Sequence, residues 1–240
     1  MTKHNTQWYA SWFDSPFYHI LYKDRDHDEA QSFMDTLTHY LNLTKQGKIL
    51  DLACGKGRHS LYLNALGYDV TGVDLSVNSI EYAKQYENET LHFHVHDMCL
   101  PFNQKFDAVF NLFTSFGYFE KEEDNLNTIK AIKEDLNDYG FGVIDFMNSN
   151  NVIEHLVPED VRTIQNIKFH QKRYVKDGYI FKDISFDYKN TNYAFQERVR
   201  AFTIQDFESF FEQANVHLLD VFGDYKLRKF NNKNSDRLIM

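Results

Sequence analysis

From Lys48 to Met147 the chain alternates between two apolar patterns. Short, nearly continuous apolar runs have the length of buried strands: "KILDLAC" (48–54), "YDVTGVDL" (68–75), "LHFHVHDM" (91–98), "FDAVFNLF" (106–113) and "GFGVIDFM" (140–147). Between them, "RHSLYLNALG", "SVNSIEYAKQYENE" and "EEDNLNTIKAIKEDLND" space their apolar residues for helices. Gly67 closes the first of these helices, and Ser76 stands as the N-cap of the second. Ahead of the first strand, Ala30, Phe33, Met34, Leu37 and Leu41 mark a further amphipathic helix. Strands alternating with helices predict right-handed βαβ units in a parallel sheet.

The pattern changes after the fifth strand. From about Phe169 to Phe202 apolar and polar residues alternate, with Asp177-Gly178 and Lys189-Asn190 at turn positions, which predicts an antiparallel meander. A helix follows at 203–215 with Thr203 as its cap, and "VHLLDVFGDY" and "SDRLIM" read as two closing strands. The expectation is an α/β fold: a doubly wound, Rossmann-like, seven-stranded and mostly parallel sheet with an antiparallel β insertion at about 167–202. Residues 1–46 form an N-terminal helical cap segment and 47–240 the main domain.

A length of 240 residues suits one domain carrying an insertion. The net charge of −9, with no dense basic run, disfavours a polynucleotide partner. Cys54 and Cys99 form no CxxC pair, and no stretch of apolar residues is long enough to span a bilayer. A cytoplasmic protein with reduced thiols, no membrane association and a monomeric or homodimeric state is expected.

The first apolar run ends in "ACGKG". Gly55 and Gly57 allow a tight turn and close approach of a ligand to bare backbone, with helix N–H groups just beyond. Asp74 stands 19 residues after Gly55 at the end of the second strand, close to the spacing of about 20 at which a carboxylate meets ribose hydroxyls. Nicotinamide and flavin dinucleotides use the same geometry, but the third glycine of their pattern falls here on Ser60.

"ILDLACGKGRHSLYL", "VTGVDLS", "HDMCLPF" and "FDAVFNLFTSFGYF" together resemble, in order and spacing, the successive motifs of class I S-adenosylmethionine-dependent methyltransferases of the small-molecule type. The resemblance runs from about Lys48 to Met147. It implies transfer of a methyl group from S-adenosylmethionine to a small-molecule acceptor, leaving S-adenosylhomocysteine. It also implies roles by position. Asp51, Gly55 and Gly57 frame the methionine part of the cofactor and Arg58 borders it. Asp74 takes the ribose hydroxyls and Leu75 packs on the adenine; Asp97 faces the adenine amino group and Met98 covers the ring. Asn111, Leu112 and Phe113 form the floor beneath the reacting methyl.

Other assignments rest on composition. A cationic sulfur favours aromatic surroundings, and Trp8, Tyr9, Trp12, Phe13, Phe17, Tyr18 and Tyr22 cluster near the N-terminus. Two readings of that segment stand side by side: a cover over the cofactor with Tyr18 or Tyr22 at its methionine end, or hydrophobic packing. Phe116, Tyr118 and Phe119 follow the fourth strand as candidate acceptor-pocket wall. His59, His155 and His170 are candidate bases, but no pattern ties any of them to an acceptor, so the catalytic base is left unassigned. His92, His94 and His96 share one strand face and fit a half-exposed edge better than a metal site. Two alternatives to the small-molecule enzyme stay open: a nucleic-acid methyltransferase, which would show a basic face and an Asn-Pro-Pro-Tyr-like stretch where this chain has "NLFT", and a non-catalytic cofactor-binding module. A nicotinamide-dependent oxidoreductase is a further, weaker one.

Overall fold

Strand β1 (Lys48–Leu52) is buried at every residue after the first, because a parallel sheet covered on both faces has no polar side. That is why its sequence runs apolar without alternation. The computed structural model describes residues 12–22 and 27–240. In chain order, α1 (Pro16–Leu21) and α2 (His27–Tyr40) precede β1. Then come α3 (Arg58–Ala65), β2 (Asp69–Asp74), α4 (Val77–Ala83), β3 (Leu91–Val95), β4 (Phe106–Asn111), α5 (Glu122–Asp135) and β5 (Leu136–Met147). They are followed by α6 (Ser149–Glu154), β6 (Glu159–Ile164), β7 (Ile167–Lys176), β8 (Tyr179–Tyr188), β9 (Thr191–Arg200), α7 (Ile204–Ala214) and β10 (Arg237–Ile239). The chain divides into two compact units, one from residues 26–151 and 202–240, the other from 1–25 and 152–201.

The first unit is built on a sheet in the order β10-β5-β4-β1-β2-β3. All neighbours pair in parallel except β10, which runs antiparallel to β5. The strand order reverses between β1 and β4, so the carboxyl ends of β1, β2, β3 and β4 lie along one edge, where open α/β sheets bind ligands. Phe33, Met34 and Leu37 of α2 join Ile49, Val70, Leu91, Phe93, Ala108 and Phe110 in the core. Ser76 caps α4 by accepting the Ser79 N–H at 3.0 Å, and Thr203 with Asp206 forms a capping box at α7, as the sequence leads one to expect.

The mostly parallel α/β sheet stands, but with six strands rather than seven. "VHLLDVFGDY" contributes no strand, only isolated bridges from Phe222 to Lys229 and to Ile239, the latter an exchange of backbone hydrogen bonds of 2.8 and 2.9 Å. Beyond Phe222 the chain doubles back, with Asp224 accepting the N–H groups of Lys226 and Arg228. Leu219 is 68% exposed while Phe222 and Tyr225 pack against the core, so the apolar letters of this stretch do not share one buried strand face.

The second unit is an antiparallel sheet in the order β6-β7-β8-β9. Its three hairpins turn on consecutive residues of positive φ: Gln165 and Asn166, Asp177 and Gly178, Lys189 and Asn190. Such pairs make the type I′ turns whose twist matches that of the strands. β6 lies ahead of the expected range, and four of its six residues are exposed, so no apolar alternation marks it. Trp12 and Leu21 are buried against Ile164, Ile167, Phe169, Ile184 and Phe186, with Phe13, Phe17, Tyr18 and Tyr22 packed around them. The packing reading of the aromatic N-terminal segment is therefore visible in the structure. Trp8 and Tyr9 lie outside the described residues.

Among the described residues no helix is long and apolar enough to cross a membrane. No group of three His, Cys, Asp or Glu side chains there forms a cluster able to hold a metal ion. His92 and His94 are exposed on the edge strand β3, where the His94 ring lies 5.4 Å from Phe102. Val95 is 50% exposed as the last residue of that edge strand.

Candidate active site

Parallel pairing of β1 with β2 brings the two ends of the glycine-acid pair together. The Cys54 N–H donates to the Val73 carbonyl at 2.9 Å, which carries the loop after β1 across the end of β2. There the Asp74 carboxylate accepts the Gly55 N–H through Oδ2 and the Ser76 N–H through Oδ1, both at 2.8 Å. Gly55 has φ +56°, and a Cβ built on it meets no atom within 4 Å, so the loop borders open space at this point. Gly57, at φ +78°, is held glycine by contact: a Cβ would lie 2.6 Å from the Phe93 ring. It is also the N-cap of α3 and supplies no side-chain hydrogen bond to that helix's first turn.

Asp51 of β1 is buried to 3% exposure and accepts the Ser60 hydroxyl at 2.6 Å. Burial pushes its carboxyl up to about 7, opposed by the Ser60 hydrogen bond and reinforced by the charge of Asp74. The unfolded group ionises near 3.8, so folding takes up a proton between that pH and about 7. The stability this provides is full below pH 3.8 and is lost as pH rises through about 7, by roughly 4 kcal/mol in all. Asp51→Asn, which can keep an acceptor for Ser60, is expected to flatten this slope. Urea unfolding at pH 5 and pH 8 measures it; an unchanged difference between the two pH values in the variant would contradict the assignment. Burial likewise pushes the Cys54 thiol well above its usual range, with Asp51 and Asp74 adding to it, which makes it a packing residue.

The ends of β3 and β4 continue the same edge. Asp97 is half-buried and accepts the Cys99 N–H at 3.0 Å, and Leu75 is 40% exposed. Asn111 is fully buried; its Nδ2 reaches the Leu52 carbonyl at 3.4 Å and the Met98 sulfur at 3.6 Å, while its Oδ1 has no protein partner. A buried carbonyl without a donor is costly, so this atom favours a ligand or water that donates to it.

The chain leaves β4 under strain. Phe113 and Thr114 both have left-handed φ, 59° and 60°, a cost of about 1–3 kcal/mol each for residues with a Cβ. The Phe113 ring stacks on His59 at 4.4 Å. His59 Nε2 sits 2.7 Å from Nη2 of Arg58, and because a guanidinium only donates, that nitrogen accepts. His155 and His170 are exposed, and His170 belongs to β7 of the other unit.

Two residues absent from the sequence reading occupy this corner. Asp145 of β5, fully buried, accepts the Phe113 N–H at 2.8 Å and pairs with Arg237 of β10 at 2.7 Å. An acid inside the apolar run "GFGVIDFM" was a signal for Asp145; nothing in "SDRLIM" announces its partner. The remaining candidates are dispersed. Phe116 and Phe119 are closed into an aromatic cluster: the Phe116 ring has Phe119, Phe202, Phe207 and Phe210 within 6.5 Å. Tyr118 is half-buried. Tyr18 and Tyr22 are a ring pair 4.9 Å apart in the antiparallel unit, and the Tyr22 hydroxyl donates to Glu197 at 2.7 Å.

A family model described as a methyltransferase domain matches residues 49–140. The Haemophilus influenzae protein named "Probable S-adenosyl-L-methionine-dependent methyltransferase TehB" is 34% identical over 134 residues, covering 54% of this chain and 45% of that protein. The glycine/sarcosine N-methyltransferase of Aphanothece halophytica is 29% identical over 138 residues, covering 54% and 50%. The chain thus spans about half the length of the curated relatives it matches. Among solved structures, an S-adenosylmethionine-dependent methyltransferase from Clostridium acetobutylicum superposes with a TM-score of 0.77 at 21% identity, covering 92% of this chain and 93% of that one, which shows the shared fold.

Proposed function

We propose that the chain is a class I S-adenosylmethionine-dependent methyltransferase that transfers the methyl group of S-adenosylmethionine to a small-molecule acceptor and releases S-adenosylhomocysteine. The observation that carries this reading is the hydrogen bond from Gly55 to Asp74, which joins the ends of β1 and β2 at the ligand edge of the sheet. The residues present suit the cofactor chemically. Open space beside Gly55 and the nearby acids Asp51 and Asp74 suit the ammonium group of an amino-acid tail, and Asp74 suits a ribose diol. The exposed Leu75 suits an aromatic ring, with Asp97 an acceptor for an exocyclic amine and Met98 beside it.

In this assignment Asp51, Gly55, Gly57 and Arg58 hold the methionine part, and Asp74 holds the ribose. Leu75, Asp97 and Met98 hold the adenine. Asn111, Leu112 and Phe113 form the floor of the methyl site, and Asn111 Oδ1 faces a donor or water there. S-adenosylmethionine, when bound, supplies a sulfonium leaving group for in-line displacement at carbon. The chain's own residues then have to position the two reactants and exclude water, not to carry a covalent intermediate. Of the three aromatic residues after β4, Tyr118 is the one proposed to meet the acceptor, since Phe116 and Phe119 are closed into the aromatic cluster. Tyr18 and Tyr22 are assigned to the core of the antiparallel unit.

Calorimetry with S-adenosylmethionine, and with NADH as control, tests the reading. Saturable binding of the first and none of the second is expected; the reverse overturns it. An acceptor screen by cofactor turnover then starts with small amines, because the relative from Aphanothece halophytica is named a glycine/sarcosine N-methyltransferase.

A further inference from the structure

We propose that Asp145 and Arg237 are positioning residues that hold the Phe113–Thr114 turn, and with it the floor of the methyl site, in its left-handed conformation. The inference rests on the cofactor reading above. Two consecutive residues with a Cβ rarely adopt φ near +60° unless their surroundings impose it. Here the polar groups of the turn end on one buried pair. The Phe113 N–H donates to Asp145 Oδ2 at 2.8 Å, and the Thr114 N–H donates to the Asp145 carbonyl at 3.0 Å. Arg237 closes the frame: Nε donates to Asp145 Oδ1 and Nη2 to the Thr114 hydroxyl, each at 2.8 Å.

Stability alone is a weak reason for such a pair. Desolvating two charges costs about as much as their attraction returns, and an apolar replacement of both is often neutral or better. What an apolar pair cannot supply is a directed acceptor for the Phe113 N–H and a directed donor for the Thr114 hydroxyl. The guanidinium, held over the Tyr225 ring at 5.5 Å, has the planar fork that meets both Asp145 and Thr114. Tyr225 in turn packs against Phe113 at 5.5 Å and Phe33 at 4.6 Å. A three-residue strand near the end of the sequence thus fixes the orientation of a ring at the carboxyl edge of β4.

The experiment compares binding of S-adenosylmethionine and S-adenosylhomocysteine, which differ by the methyl and its positive charge. Arg237→Lys retains a cation for Asp145 but loses the fork. It is expected to weaken S-adenosylmethionine by roughly tenfold and S-adenosylhomocysteine by less than about threefold, the scale of one lost charge-assisted hydrogen bond. Adding Thr114→Gly, which removes the Cβ that makes φ +60° costly, is expected to restore the ratio. Leu238→Ala, a core change at the neighbouring residue on the opposite face of the same strand, lowers stability without moving the ratio. Equal weakening of both ligands by Arg237→Lys, or a ratio that follows thermal stability across all variants, overturns the positioning role. Wild-type protein that binds neither ligand overturns the cofactor reading, a distinct result, and the positioning role falls with it.

Discussion

Asp74→Ala is expected to weaken S-adenosylmethionine binding by roughly 10²–10³-fold, the loss of two charge-assisted hydrogen bonds to a ribose diol. The carboxylate also accepts the N–H groups of Gly55 and Ser76. Each of these is worth about 1–3 kcal/mol as a bond to a charged group, so the alanine variant loses stability as well as affinity. Asp74→Asn separates the effects, since an amide can keep one backbone acceptor while its NH₂ faces the loop or the ligand as a donor. Calorimetry and thermal unfolding on both variants read the two quantities independently. Wild-type affinity in Asp74→Ala with the loop intact would remove the ribose assignment.

Trp12→Ala is expected to cost about 3–5 kcal/mol and to loosen the antiparallel unit ahead of the parallel sheet. The indole is 1% exposed, lies 4.4 Å from the Phe195 ring, and donates to Glu197 at 2.7 Å. Truncation leaves a cavity and takes one donor from a carboxylate that Tyr22 and Lys182 also hold. Lys182 itself is pushed down to about 8 by burial, so this cluster is already expensive to keep charged. Trp12→Phe keeps most of the volume and loses only the hydrogen bond, at about 1–3 kcal/mol. Hydrogen exchange distinguishes the outcomes: amides of β7, β8 and β9 should lose protection while those of β1 and β4 keep it. A uniform loss across both units would show that Trp12 acts on global stability instead. For the same reason, removing residues 1–25 deletes Trp12 and Leu21 from that core, so it tests the folding of the unit before it tests any contact with a cofactor.

Local chemistry made much of this molecule legible. Buried parallel strands announce themselves as short apolar runs, type I′ turns as Asp-Gly and Lys-Asn between alternating segments, and helix starts as Ser76 and Thr203. The glycine loop and Asp74 were legible for a similar reason, since a spacing of 19 residues spans one helix and one strand of a βαβ unit. β6 was not, because four of its six residues are exposed and its pairing is carried by backbone groups that every residue possesses. The reduction of "VHLLDVFGDY" to isolated bridges at Phe222 was also invisible, because apolar letters record what a strand can bury and not whether a face is there to receive it.

The sequence by itself thus determined the fold class, the glycine-acid pair and the order of the motifs, all of which depend on contacts between near neighbours in the chain or on a repeating local pattern. Tertiary structure alone decided which acid holds which backbone group. Phe116 belongs to a closed aromatic cluster because α7 brings Phe207 and Phe210 against it. Arg237 meets Asp145 across 92 residues because β10 adds antiparallel to β5. Burial and pairing of this kind are properties of the folded arrangement: a side chain's partner is set by which distant element packs beside it, and no local propensity encodes that.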